Sequence, residues 1–167
     1  MATKLSPLRF VRSVLKSFMA ESGLEPRLLG ASQIRVKHAV HGKVDFELDI
    51  TKDHTNRLKI LHGGTIASMV DLGGSLAVAS TGLYATGVST DLNVTYLSSG
   101  GQIGDKIIGT AVCDKIGKTL AYTSVVFRNS KGELAARGSH TKYVSQAVKA
   151  QEAAFVPPEG AQIADEE

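Results

Sequence analysis

Between Lys59 and Asp91 the chain carries a single charged side chain, Asp71, in the middle of the run HGGTIASMVDLGGSLAVAST over 62–81. The apolar positions of that run, Ile66, Met69, Val70, Leu72, Leu76 and Val78, fall all round a helical wheel, so it reads as a helix buried on most sides. A helix of that kind has to be wrapped. Residues 33–40 and 43–50 alternate in polarity around His41-Gly42, a two-residue hairpin junction. Residues 88–97, 105–114, 118–129 and 133–144 are rich in Val, Ile, Thr and Tyr, with turns at Ile116-Gly117 and Ser130-Lys131-Gly132. The order of helix, two strands, long buried helix and four strands predicts an α+β fold in which an antiparallel sheet wraps a central helix.

At 167 residues the chain has the length of one domain able to bury its own core. Three regions are expected within it. Residues 1–22 form a basic amphipathic helix, with Ser6-Pro7 as N-cap and first position and Leu8, Val11, Val14, Leu15 and Phe18 at helical spacing. Residues 23–146 form the domain. Residues 147–167 form an acidic tail, expected to be mobile, with Pro157-Pro158, five acids and one base, Lys149. The basic, acid-poor start also has the composition of a mitochondrial transit peptide, which leaves cytoplasm and mitochondrion as alternatives. No apolar run approaches the roughly 18 to 20 residues of a membrane span, so no transmembrane segment is expected and a soluble protein is.

Residues 1–149 hold all 19 basic and 11 acidic side chains, a net +8 that suits a polyanionic or phosphate-bearing partner. Nucleic acid is disfavoured: aromatics make up 5%, Trp is absent, and no basic cluster is interleaved with aromatics. The lone Cys113 excludes an intrachain disulfide and a paired-cysteine zinc site, and no histidine pair has ligand spacing, so no metal is expected.

Asp71 is the first residue with chemistry to explain. A carboxylate in an apolar helix must be hydrogen-bonded, hold a proton, or face a solvated cleft; it is either a structural Asp near Gly73-Gly74 or a functional one. His62-Gly63-Gly64 stands where loop becomes helix, either as a capping turn or as an anion or oxyanion site built from free N–H groups. Nine residues of helix separate His62 from Asp71 by about 13 Å and about 180°. If both act on one substrate, the simplest geometry is a two-fold dimer with His62-Gly63 of one copy facing Asp71 of the other.

The runs HTNRLKILHGGTIASMVDLGGSLA, GVSTDLNVTYLSS, IGKTLAYTSV and GSHTKY, over roughly residues 5–145, resemble the hotdog-fold acyl-coenzyme A thioesterases, including those of phenylacetate degradation. The resemblance implies a helix wrapped by an antiparallel sheet, assembled as a dimer of dimers with active sites between subunits. It implies that Asn56 and the Gly63 N–H polarise the thioester carbonyl, that His62 supports them, that Asp71 acts as base on the attacking water, and that Ser89 holds that water. It also implies coenzyme A contacts along Tyr96, Leu97, Ser98, Ser99, Gly100 and Gly101, along Lys115, Ile116, Gly117, Lys118, Thr119 and Leu120, and at Tyr143. No cofactor is implied beyond the coenzyme A of the substrate. The expected reaction is hydrolysis of a fatty (medium- to long-chain) or aryl acyl-coenzyme A. The alternatives are a hotdog acyl-thioester dehydratase and a non-catalytic acyl-coenzyme A or lipid-binding scaffold.

The remaining reactive side chains read as structural. His38, His41 and His54 suit solvated or packing roles, His140 a structural one, and Cys113 a packed thiol. Ser68 and Ser75 lack the G-x-S-x-G setting of a serine hydrolase.

Overall fold

The computed structural model describes residues 5–150. The amphipathic start forms α1 (Pro7–Glu21), where the Ser6 hydroxyl accepts from the Arg9 N–H and proline fills the first turn. A short α2 (Glu25–Leu28) follows, and then the hairpin β1 (Ile34–Val40) and β2 (Lys43–Asp49), closed at Val40↔Lys43 with Gly42 at φ 79°. A 3₁₀ turn at Lys52–His54 leads into the long helix α3 (Gly63–Ala79). After it come β3 (Val88–Tyr96), β4 (Lys106–Ile116), β5 (Leu120–Arg128) and β6 (Leu134–Tyr143).

The strands make one antiparallel sheet in the order β1-β2-β4-β5-β6-β3. Alternate side chains face α3, so Val44, Phe46, Leu48, Ile107, Ala111, Val125 and Phe127 are buried against Met69, Val70, Leu72 and Leu76. The helix lies close to the sheet because glycines face it. A Cβ on Gly73 would come within 2.8 Å of the Phe46 ring, and one on Gly74 within 2.7 Å of His140 Nδ1. α1 closes the other side, burying Val11, Val14 and Leu15 in the same core while Arg12 Nε donates to the Val36 carbonyl.

Element types match the sequence reading; the ends of α3 and of the strands are displaced by at most two residues, and α1 starts at Pro7, the first position that Ser6-Pro7 marked, rather than at residue 1. The sequence reading did not include the two short helices α2 and α4 (Ser145–Ala150). α4 falls where the tail was expected to begin, and it is ordered for a physical reason. Ala147 is buried, and Val148 packs on the cluster of Val78, Leu83, Ala121 and Val144. The rest of the tail lies outside the described residues. Among the described residues, no helix is long and apolar enough to cross a membrane.

β3 stands apart from the other strands. It pairs only with β6, and every one of its side chains is exposed except the half-buried Val94. Val88, Leu92 and Tyr96 are 63%, 39% and 52% exposed. An edge strand with free backbone groups and an apolar face is a ready template for another strand.

Candidate active site

The expected site residues fall into two groups, one near each end of β3. The first surrounds the start of α3. Thr55 and Leu61 form an isolated bridge, so residues 55–61 make a small hairpin with Arg57, Leu58 and Lys59 at its tip. Asn56 Oδ1 accepts from the Leu58 N–H at 2.9 Å and the Ile60 N–H at 3.4 Å. Only the oxygen of a side-chain amide can accept from these two donors, so the Asn56 amide N–H groups are left to donate elsewhere. Lys59, at φ 62°, is the one non-glycine residue with positive φ among the described residues, and it sits in this turn.

His62 is the N-cap of α3, and its Nδ1 accepts from the Gly64 N–H at 2.8 Å. The neighbouring Gly63 N–H, at the first helical position, has no intrahelical acceptor. The 55–61 hairpin and the start of α3 thus each leave an N–H donor available, the kind of group an oxyanion requires. Tyr96 was expected to contact coenzyme A; its hydroxyl donates to the Gly63 carbonyl at 2.7 Å, and its ring lies 3.3 Å from where a Cβ on Gly63 would stand.

The second group centres on Asp71. Of the three conditions set by the sequence, the carboxylate meets the last: its side chain is 50% exposed and borders an open groove of about 220 Å³ lined also by Leu24, Glu25, Leu28, Ser68 and Leu92. Its sequence neighbours Met69, Val70 and Leu72 are buried in the core, whereas the Asp71 side chain stands half exposed at the groove.

His140, read from sequence as structural, joins Asp71 to Ser89. Its ring is fully buried on β6; Nδ1 lies 3.1 Å from the Asp71 carbonyl and Nε2 lies 2.7 Å from Ser89 Oγ. Burial, followed by the charge of Lys142, holds the imidazole below its usual pKa of 6.5, against the opposing pull of Asp71. The ring is therefore neutral at pH 7, and the 4.0 Å approach of Asp71 Oδ1 to Nδ1 is not an ion pair. A carbonyl can only accept, so Nδ1 carries the proton and Nε2 accepts from the Ser89 hydroxyl. Ser89 is left with lone pairs facing outward, the correct polarity to receive a hydrogen bond from water. No local pattern announces this chain, because His140 lies 51 residues from Ser89 and 69 from Asp71. Lys142 is buried beside His140, and burial lowers its pKa while Asp71 and Glu25 oppose the shift.

One protomer does not bring the two groups together. Tyr96 pairs with Ala136, whereas Asp71 meets β6 at His140 and Ser89 pairs with Lys142, four and six residues further along that strand. Those spacings are about 14 Å and about 20 Å. Tyr143, one residue beyond, pairs with Val88 and Leu120. The expected coenzyme A contacts divide the same way, with Tyr96–Gly101 at one end of the sheet and Lys115–Leu120 with Tyr143 at the other.

Residues 58–136 match the model of the thioesterase superfamily. Human acyl-coenzyme A thioesterase 13 is 41% identical over 80% of this chain and 94% of its own length. The chain belongs to the thioesterase superfamily. A Schizosaccharomyces pombe protein is 47% identical over 84% of this chain and 86% of that one. The crystal structure of zebrafish thioesterase superfamily member 2 superposes with a TM-score of 0.74 at 36% identity, covering 84% of this chain and 99% of that one. The sheet wrapped on α3 is accordingly the hotdog fold of this superfamily, and the protein is a thioester hydrolase.

Proposed function

We propose that this thioesterase hydrolyses fatty (medium- to long-chain) or aryl acyl-coenzyme A thioesters to the free acid and coenzyme A, at sites formed between two copies of the chain. The observation that carries the reading is the division of complementary chemistry along β3, a strand whose outer edge is unpaired. Oxyanion donors lie by Tyr96 and a carboxylate with a polarised hydroxyl lies by Ser89. Two-fold pairing of β3 edges inverts strand direction, so the Ser89 end of one copy runs beside the Tyr96 end of the second. The same pairing would unite the two halves of the coenzyme A contacts, with Lys115 and Lys118 meeting phosphates. Two such dimers would pair as a tetramer.

In this scheme Asn56 Nδ2 and the Gly63 N–H of one copy bind the thioester oxygen. Asp71 of the other copy takes a proton from a water that Ser89 orients, and the hydroxide attacks the carbonyl carbon. The tetrahedral oxyanion then collapses and expels the coenzyme A thiolate. No cofactor enters beyond the coenzyme A of the substrate.

The test is thiol release from acetyl-, medium-chain, long-chain and phenylacetyl-coenzyme A, comparing wild type with Asp71→Asn and Asn56→Ala. Each variant should lose about 10²- to 10³-fold in kcat, the usual effect of removing one such group. No wild-type turnover on any thioester, with the protein folded, would refute the proposal in favour of dehydration or non-catalytic binding.

A further inference from the structure

His54 has no part in that chemistry, yet it is only 2% exposed and both its ring nitrogens and its carbonyl are hydrogen-bonded. The Thr51 N–H lies 3.0 Å from His54 Nδ1. A backbone N–H can only donate, so Nδ1 accepts, the ring proton sits on Nε2, and Nε2–H donates to the Leu29 carbonyl at 2.9 Å. The ring therefore bolts residue 54 to the C-cap of α2, a helix whose N-cap Leu24 and whose Glu25 and Leu28 line the groove beside Asp71. The His54 carbonyl faces the other way and accepts from the His62 N–H at 2.9 Å and from the buried Thr65 hydroxyl at 3.0 Å. Those two bonds fix the entry of α3, where the free Gly63 N–H stands, and Asn56 is two residues along the chain.

We infer that His54 is a positioning residue for the oxyanion hole: its ring anchors one residue whose carbonyl sets the place of Gly63 and whose chain direction sets the place of Asn56. The inference rests on the thioesterase reading of Asn56 and Gly63. A donor displaced by about 1 Å loses up to about a hundredfold in rate, because the oxyanion forms where the donor no longer points. Binding of the acyl chain and of coenzyme A involves neither ring nitrogen, so KM should hold while kcat falls.

The experiment uses the full chain with His54→Ala, His54→Asn and His54→Gln. Asn keeps an acceptor near the Nδ1 position for Thr51, and Gln keeps a donor near the Nε2 position for Leu29. Steady-state kinetics on the best acyl-coenzyme A, below the melting range of every variant, should show kcat down about ten- to a hundredfold in His54→Ala with KM within about twofold, and partial rescue by Asn or Gln. Amide hydrogen exchange without substrate should accelerate about tenfold at Leu58, Ile60 and His62 and stay unchanged in β4 and β5. Unchanged kcat with a lowered melting temperature, or exchange accelerated equally throughout, would overturn the inference. If His54→Ala does not fold, His54→Gln and His54→Asn decide it alone, and wild-type kcat in both would overturn it. If wild type turns over no thioester, the functional reading falls, and the exchange contrast alone upholds or refutes the tether.

Discussion

Replacing Gly74 by alanine should destabilise the protein even though alanine is the better helix former. On propensity alone the change would stabilise α3 by about 1 kcal/mol. The added Cβ, however, would lie 2.6 Å from Thr123 Oγ1, 2.7 Å from His140 Nδ1 and 2.9 Å from His140 Cβ. None of these can swing aside: Thr123 Oγ1 is bonded to the His140 carbonyl at 2.7 Å, and the His140 ring is held at both nitrogens. Overpacking against so fixed a wall costs about 3 kcal/mol, the upper part of the usual range. The net loss is then about 2 kcal/mol, or about 4 to 8 °C in Tm for a chain of this length. Because the strain falls on the ring that polarises Ser89, kcat should fall about tenfold or more in protein that remains folded. Calorimetry and thiol-release kinetics read the two effects separately. The control is Gly23→Ala, where a Cβ meets nothing within 4 Å. A Tm for Gly74→Ala at or above that of wild type would refute the close-packing argument.

Three further outcomes follow from the same geometry. Tyr96→Phe removes the hydroxyl that donates to the Gly63 carbonyl at 2.7 Å, and should lower kcat about three- to tenfold with a stability loss near 1 kcal/mol, read by kinetics and urea denaturation. His140 has a folded pKa below its unfolded value of 6.5, so the unfolded chain binds the proton first; this contribution is complete above pH 6.5 and is lost as pH falls below it, by at most about 1.4 kcal/mol per pH unit. Urea midpoints between about pH 7 and about pH 5.5 should therefore fall more steeply for wild type than for His140→Asn, and equal slopes would refute the assignment. Copies bearing Asp71→Asn, mixed by refolding with copies bearing Asn56→Ala, should regain about a quarter of wild-type activity, since half the dimers are mixed and each has one intact site. No recovery, with mixed dimers shown by mass spectrometry, would place both groups within one copy.

The sequence by itself determined the elements and their chemistry. The all-round apolar run over 62–81 read as a wrapped helix, the alternation around His41-Gly42 read as a hairpin, and the single charge at Asp71 marked a place where that helix had to meet something polar. These are local properties, set by side-chain period and turn geometry within a few residues. The HGG run likewise marked His62 and Gly63 as a helix entry with free N–H groups, whereas Asn56 was marked only by the resemblance to the thioesterases. Tertiary structure decided how these parts meet. The sheet order that leaves β3 as a bare edge, the β3–β6 register that brings His140 beside Ser89, the turn of α3 that aims Asp71 into a groove, and the burial of His54 against Leu29 all join residues far apart in sequence. Contacts of that kind leave no periodic trace, because their partners are chosen by packing the whole core around α3 rather than by the neighbours along the chain.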